Sequence, residues 1–194
     1  MKIILASKSG VRKQILDKYK INSEVIVSNV DEDEVKESLL AEGANPRLIS
    51  KNLAEIKSIK VSKKTPNRLV LGADSVISLN EELISKPNSR EEALEILKKL
   101  NNSKHYLISS VCISKNGAMI WNHTDSSELK MKNLTEEELV KYLSKIETKT
   151  LLAYGVYQVE ADGLELFEYI NGDRDSIMGL PIKEIKKYID QFKK

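Results

Sequence analysis

The segment LVLGADSVISL (residues 69–79) decides the fold, because it predicts one buried strand that carries a carboxylate, Asp74. An unpaired charge buried in a strand costs several kcal/mol. Asp74 therefore has a structural partner, or it lies where the strand opens onto a ligand. Gly72 and Ala73 lie just before it and allow other groups to approach closely. Since strand ends are common site positions in α/β proteins, Asp74 is a candidate site residue.

Strand-like and helix-like segments alternate on both sides of this strand. KIILA (2–6) and EVIVSNV (24–30) predict strands, VRKQILDKY (11–19) predicts a helix, and Asn45-Pro46 predicts the start of a longer helix. After residue 79, NEELISKP (80–87) predicts a hairpin return. The first half therefore predicts βαβ units in an α/β fold.

The second half contains hairpin and helix-cap signals. Asn116-Gly117 lies between the strand-like HYLISSVCIS and AMIWNHT and is the strongest hairpin signal of the chain. Capping-box spacings predict helices at Ser89–Glu92 and Thr135–Glu138. Further strands are predicted at SELKMK (127–132) and LELFEYI (164–170), with a closing amphipathic helix at IKEIKKYIDQF (182–192). These hairpins predict a mixed, largely antiparallel sheet.

Composition limits the classes of function. The 194 residues carry 31 basic and 29 acidic side chains, a net charge of +2, which does not favour a nucleic-acid partner. One cysteine, Cys112, lies in an apolar segment, which favours a buried side chain over a nucleophile. The four-residue apolar core near the start is too short for a signal peptide or a membrane span. We therefore expect a cytoplasmic protein without a membrane partner.

The chain has only two histidines, so a zinc site of Cys/His type is nearly excluded. Any metal would need oxygen ligands, which points to Mg²⁺ or Mn²⁺. The four acids in VDEDE (30–34) could supply such ligands, or they could form an ordinary solvated loop.

The segment ILASKSGVRK (4–13) predicts a strand, a turn and a helix start. Free N–H groups at a helix start bind anions, whereas the helix dipole opposes the cations Arg12 and Lys13 in the first turn. A bound phosphate would turn this conflict into an attraction. The alternative is a capped helix with solvent-exposed bases.

Two other segments leave a functional and a structural interpretation open, and a third has a structural interpretation only. Lys86, in SKP (85–87), is either a phosphate counter-charge or a surface lysine. AYGVYQVEADG (153–163), which includes Glu160, could recognise a nucleobase or could form core and turn. GDRDSIMGLP (172–181) predicts a charged loop and a rigid stop before the last helix.

Landmarks of one protein family occur in order along nearly the whole chain. They are LAS-x-S followed by Arg12, DE after the second strand, LAEIK, GAD, KP, the histidine of HYLISS, YGVYQ, GD and GLP. Each motif is weak, but their order and spacing are highly specific. The chain resembles the Maf family, the septum-formation-type nucleoside triphosphate pyrophosphatases.

This resemblance implies a Maf/ITPase-like α/β fold, in which helices flank a mixed twisted sheet. It implies an elongated, two-lobed single domain over residues 1–194 with a central cleft. The implied reaction converts a nucleoside triphosphate, ordinary or modified, to the monophosphate and diphosphate with a divalent cation. A house-cleaning or cell-division-linked role and a homodimer are also implied. The alternatives are a non-catalytic nucleotide-binding regulator of cell division and a nucleic-acid binder.

The resemblance also implies roles for individual residues. Asp74 corresponds to the proton acceptor, and Glu32 would hold the metal together with Asp74. The phosphate-handling bases and the turn that faces the phosphates correspond to Arg12, Lys57, Lys86, Ser7 and Ser9.

Some positions depart from the family pattern. Val11, Ser75 and Glu160 occupy positions that differ among family members, so they are candidates for substrate specificity. Glu160 favours the subgroup that acts on modified or broader nucleotides. Glu81 replaces the glycine that the family has in a hairpin.

Overall fold

The computed structural model describes residues 2–159 and 162–193. Within this part of the chain, seven strands form one sheet in the order β2-β1-β3-β5-β6-β7, with β4 paired to β3. The strands are β1 (Ile3–Leu5), β2 (Ser23–Val25), β3 (Val70–Leu79), β4 (Glu82–Ile84), β5 (Lys104–Lys115), β6 (Ala118–Met131) and β7 (Phe167–Asn171). Strand β1 is parallel to β2 and β3, whereas β4 and β7 are antiparallel to β3 and β6. The predicted mixed α/β sheet is confirmed.

Helices connect and flank these strands. They are α1 (Gly10–Lys18), α2 (Glu32–Ala41), α3 (Pro46–Ser62), α4 (Arg90–Leu100), α5 (Glu136–Ser144), α6 (Thr148–Tyr154), α7 (Arg174–Ile177) and α8 (Ile182–Asp190), with 3-10 helices at Asp162–Leu166 and Gln191–Lys193. Asn45 caps α3 with Pro46 at its start, and Thr135 and Glu138 form the predicted capping box of α5. At α4, Ser89 caps the helix as expected. The Glu92 carboxylate, however, accepts from the amide of Asn88.

Both predicted hairpins are present. Asn116 and Gly117 have positive φ values of 53° and 81° and join β5 to β6. Asn80 and Glu81 have φ values of 50° and 66° and join β3 to β4. Two left-handed residues are what a tight two-residue hairpin turn requires.

Four local predictions were wrong or incomplete. The acids expected to form a loop begin α2, because the Asp31 side chain accepts from the Glu34 amide and the helix dipole favours acids there. Strand β2 is shorter than 24–30, since its partner β1 has only three residues. SELKMK is not a separate strand but the end of β6. The segment after Asp173 forms the short helix α7, which Asp173 caps through two backbone amides.

The first of two compact units comprises Met1–Val76, Ile108–Ser126 and Asp173–Lys194. Its main core includes Ile3, Leu5, Leu16, Leu71 and Ile185, which places α1 and α8 on one face of β1 and β3. Ile4, Ala6, Val61 and Val70 pack on the other face, against α3. This division follows from the alternation of side chains along each strand.

The second unit comprises Ile77–Leu107 and Ser127–Gly172. Helix α4 contacts α5 and α6, and its buried residues are Ala93, Ile96, Leu97 and Leu100. Strands β3, β5 and β6 contribute residues to both units. The single domain with a central cleft stays a prediction. Among the described helices, none combines the length and apolarity needed to cross a bilayer.

Candidate active site

The candidate active site is built around a buried lysine that contacts two carboxylates. The Lys57 ammonium lies 2.7 Å from Asp74 Oδ1 and 2.9 Å from Glu32 Oε1. Lys57 and Asp74 are both 5% exposed, whereas the Glu32 side chain is partly open to solvent. The ion pair supplies the partner that a charge buried in β3 requires. The structure thus brings together three predicted site residues that are far apart in the sequence.

Three elements of the first unit position these side chains. Asp74 lies within β3, Lys57 lies on the buried face of α3, and Glu32 is the first residue of α2. Gly72 allows α3 to approach β3, because a Cβ at this position would lie 2.1 Å from the Ala54 carbonyl oxygen. The close approach expected at Gly72 is confirmed.

The two carboxylate oxygens of Asp74 differ in their contacts. Asp74 Oδ2 is buried and has no hydrogen-bond partner among the described residues. The backbone on either side of this carboxylate is fixed, because Ser50 Oγ donates to the Asp74 carbonyl and Arg12 donates to the Ala73 carbonyl. A buried acceptor without a donor costs about 1–3 kcal/mol. Native structures retain such a group for a reason, and a catalytic role is one such reason.

Arg12 connects three segments of the first unit. Its guanidinium donates to the carbonyls of Gly179 and Ala73 at 2.9 Å, and to the hydroxyls of Ser7 and Ser75 at 3.1 and 3.2 Å. Burial lowers the pKa of Arg12, while the charges of Asp74 and Glu32 raise it. Most of its donors are therefore occupied by protein acceptors, and this arrangement suits positioning better than direct phosphate binding.

Ser7 and Ser9 form the turn between β1 and α1. Ser9 caps α1 by accepting from the Arg12 amide, and the Ser7 hydroxyl accepts from the Ser9 amide. Lys13 forms an ion pair with Asp17 one turn further along the helix. The predicted phosphate-binding roles of Ser7, Ser9 and Lys13 stay predictions.

Two of the three specificity candidates lie near Arg12. Ser75 Oγ is 2.8 Å from Ser109 Oγ and also accepts from Arg12. Val11 is partly buried against the main core of the first unit. The third candidate, Glu160, lies outside the described residues.

Lys86 belongs to the second unit. Its ammonium donates to the Ala153 carbonyl at 2.8 Å. Its predicted contact with the substrate phosphates therefore stays a prediction.

Asp74 and Glu32 are chemically suitable for a hard divalent cation. Mg²⁺ is commonly held by one or two carboxylates together with substrate phosphates. Both carboxylates contact the same lysine, so they lie close together. The described residues contain no cluster of three or more His, Cys, Asp or Glu side chains that could hold a metal without substrate. The residues thus fit a cation that is shared with a phosphate group.

Several contacts of the site were not predicted from the sequence. Ser50, Ser109 and Gly179 hold Asp74, Ser75 and Arg12 in place, but they lie 24 to 167 positions away in the chain. Gly179 belongs to the GLP motif, which was interpreted only as a stop before α8. The signal in the sequence is the glycine itself, because a turn with a left-handed residue selects glycine, and Gly179 has a φ of +90°.

Comparison with known proteins gives consistent matches over nearly the whole chain. The sequence profile of the family described as Maf-like protein matches residues 2–192. A protein of Pelagibacter ubique (strain HTCC1062) named nucleoside triphosphate pyrophosphatase is 61% identical, with 98% of each chain covered. A protein of Brucella abortus biovar 1 (strain 9-941) named 7-methyl-GTP pyrophosphatase is 35% identical, covering 94% of this chain and 92% of the relative.

A more distant similarity is found among solved structures. The Ham1 protein of Staphylococcus aureus matches with a TM-score of 0.42 and 16% identity, covering 69% of this chain and 73% of that chain. Nothing about function follows from a similarity of this size.

Proposed function

Because this chain belongs to the Maf-like protein family and is a nucleoside triphosphate pyrophosphatase, we propose that Asp74, Lys57 and Glu32 form its catalytic centre. The proposed reaction converts a nucleoside triphosphate to the monophosphate and diphosphate. The observation that carries the proposal is the Asp74 carboxylate: Oδ1 contacts Lys57, and the buried Oδ2 has no hydrogen-bond partner among the described residues.

In the proposed reaction Asp74 acts as general base. A water oxygen bonds to phosphorus, the P–O bond that bridges the α- and β-phosphates breaks, and Asp74 Oδ2 takes the proton of the water. Lys57 fixes the Asp74 carboxylate through Oδ1 and leaves Oδ2 for this transfer. Proton transfer to a positioned base contributes typically about 10²- to 10⁴-fold to the rate.

We further propose that Asp74 and Glu32 hold Mg²⁺ or Mn²⁺. When bound, such a cation neutralises negative charge on the phosphates. The amino-terminal turn of α1, with Ser7 and Ser9, would face the phosphates, since free N–H groups at a helix start favour anions. Lys86 would add a positive charge for the departing diphosphate.

We propose that the protein acts in the cytoplasm on a nucleotide substrate and assembles as a homodimer. We propose neither a nucleic-acid partner nor a membrane partner. The balance of 31 basic and 29 acidic residues supports the absence of a nucleic-acid partner. Cys112 is fully buried, and burial raises the pKa of its thiol to about 12, which supports a packing role.

The test is a nucleotide panel with the purified protein. The panel contains the common ribo- and deoxynucleoside triphosphates and 7-methyl-GTP, each with Mg²⁺, and diphosphate release is measured. We expect turnover of at least one nucleotide, its loss with a chelator, and its return with excess Mg²⁺ or Mn²⁺. Binding without turnover across the panel would contradict the proposal and support a nucleotide-binding regulator. A preference for 7-methyl-GTP would place the substrate among modified nucleotides.

The Lys86→Ala variant tests the proposed phosphate contact in the second unit. We expect weaker nucleotide binding and slower turnover, because a positive charge near the phosphates is lost. Lys99→Ala is a matched control, since Lys99 is an exposed lysine of α4 in the same unit. Unchanged kinetics in Lys86→Ala would remove this residue from the site.

A further inference from the structure

A separate pocket lies at the amino-terminal ends of β1 and β3. It has a volume of about 320 Å³ and is lined by Lys2, Asn67, Arg68, Leu69, Lys115 and Phe192, all of the first unit. Strands β1 and β3 are parallel, so Lys2 and Arg68 lie together where these strands begin. Ser7 lies beyond the end of β1, and Asp74 lies further along β3. The pocket is thus at the opposite strand ends from the candidate active site.

The pocket carries an excess of positive charge. Lys2 and Arg68 both contact the Glu24 carboxylate, at 2.6 and 2.8 Å, so one acid compensates two bases. Lys115 is exposed and forms no ion pair with any described residue. The three bases and Glu24 leave a net charge of +2, which is complementary to a phosphate monoester.

Apolar side chains form the other part of the pocket. Phe192 is 48% exposed, and its ring packs edge-on against Tyr188 with the centroids 5.2 Å apart. The neighbouring wall is Leu69, which is buried. The Asn67 amide donates to Asn116 Oδ1 at 2.7 Å, so the backbone at the start of β3 is held by the β5–β6 hairpin. An aromatic face next to an aliphatic wall accommodates a flat ring.

We propose that this pocket binds a small organic phosphate monoester that carries a flat heteroaromatic ring, of the size of a nucleoside monophosphate. Lys115 and Arg68 face the phosphate, and Phe192 stacks on the ring. The volume is at the lower end of the range for small-molecule sites, so a single nucleotide fits better than a dinucleotide. Binding here does not depend on the chemistry at Asp74.

The experiment follows backbone amide signals by NMR while a nucleoside monophosphate is added to the full chain. We expect the signals of Leu69 and Phe192 to shift and saturate. In Lys115→Glu, half-saturation should require at least about tenfold more ligand, since the phosphate loses a counter-charge. Lys99→Glu makes the same charge change at an exposed lysine of α4 and should leave the titration unchanged. Diphosphate release by Lys115→Glu should equal that of the wild type.

Two further arms test the ring and the phosphate separately. Inorganic phosphate and the free nucleoside should each bind at least about tenfold more weakly than the monophosphate. Phe192→Ala should weaken binding of the monophosphate and leave the affinity for inorganic phosphate unchanged. Equal affinity of phosphate and monophosphate, an unchanged half-saturation concentration in Lys115→Glu, or no shift at Leu69 and Phe192 would each overturn the proposal.

Discussion

The two units of this protein each bury a pair of titratable side chains in hydrogen-bond contact, but the two pairs differ in charge. In the first unit Lys57 is paired with Asp74, and Glu32 provides a second, partly exposed carboxylate. In the second unit His105 Nε2 lies 2.9 Å from the hydroxyl of Tyr157. The first pair consists of ions, whereas the second consists of groups that are neutral at pH 7.

The second pair is enclosed by aromatic rings. Phe167 lies against both partners, with ring centroids 5.9 Å from His105 and 5.0 Å from Tyr157. Burial lowers the pKa of His105 to about 4 and raises the pKa of Tyr157. Both shifts favour the uncharged forms. Tyr157, which the sequence offered as a possible base-recognition residue, is a core residue of the second unit.

The difference shows which buried polar pair is suited to catalysis. The protein keeps two opposite charges, Lys57 and Asp74, buried together in the first unit. In the second unit the same degree of burial yields a neutral contact. Substitutions in the first pair should therefore change turnover, and substitutions in the second pair should change stability.

The largest effect is expected for Asp74→Asn. This change keeps the shape of the side chain and removes the base, so turnover should fall by about 10²-fold or more. The fold should persist, which circular dichroism and thermal unfolding would check. Diphosphate release under single-turnover conditions gives the rate.

Asp33→Asn is the matched control for this variant. It makes the same chemical change one residue after Glu32, at a side chain that is 88% exposed and pairs only with Lys36 among the described ion pairs. Its turnover should equal that of the wild type. Near-normal turnover in Asp74→Asn would remove the distinction between the two pairs.

How far the sequence predicts this site depends on the distance between partners along the chain. Caps and hairpins at Asn45, Thr135 and Asn116-Gly117 were predicted, because each depends on a few consecutive residues. The acidic run at 31–34 predicts either metal ligands or a solvated loop, and neither alternative includes the capped helix start that the structure has.

The residues of the candidate active site followed from the family motifs, but the contacts between their side chains did not. Lys57 was expected to bind phosphate, and the structure shows it bound to Asp74 and Glu32. Arg12 was expected to do the same, and its donors are used by carbonyls and hydroxyls. A sequence shows which charges are present, whereas only the packing of α3 on β3 determines which of them meet.

The second prediction concerns the pH dependence of stability through His105. Its pKa falls from 6.5 in the unfolded chain to about 4 in the fold, so its contribution is fully present above pH 6.5. Between pH 6.5 and 4 the unfolded chain binds the extra proton, and the free energy of unfolding should fall by about 1.4 kcal/mol per pH unit. The total loss is about 3 kcal/mol.

Urea unfolding at several pH values measures this contribution. His105→Gln should lose this part of the pH dependence, while His123→Gln, at a partly buried position in the first unit, should retain it. A wild-type pH dependence in His105→Gln would show that the second pair does not carry the proton linkage.

The third prediction tests whether the first pair depends on the approach of α3. Gly72→Ala places a Cβ 2.1 Å from the Ala54 carbonyl oxygen, so the helix must move. Overpacking of this kind costs about 1–3 kcal/mol. Because Lys57 lies on α3, turnover should also fall. Measuring both the free energy of unfolding and turnover separates this variant from one that only lowers stability. For the loss of stability the control is Gly10→Ala, where an added Cβ meets nothing within 4 Å. Its turnover is not a control, since Gly10 lies in the turn that is proposed to face the phosphates.

The smallest effect is expected for Glu81→Gly in the β3–β4 hairpin of the second unit. Glu81 has a φ of +66°, a conformation that costs a residue with a side chain about 1–2 kcal/mol. Glycine removes this cost, but it also increases the conformational entropy of the unfolded chain, which lowers the stability of the fold. The net gain in stability should therefore be below about 1 kcal/mol, which raises the Tm by about 2–4 °C at most in a chain of this size.

Asn80→Gly, at the preceding residue, is the control for this variant. Asn80 has a φ of +50°, but asparagine tolerates the left-handed region, so its replacement should give little or no gain. Turnover should stay unchanged in both variants, since the strain lies in a turn and involves neither buried pair. A loss of turnover in Glu81→Gly without a loss of stability would mean that this exposed acid takes part in the reaction, which the distinction between the two pairs does not predict.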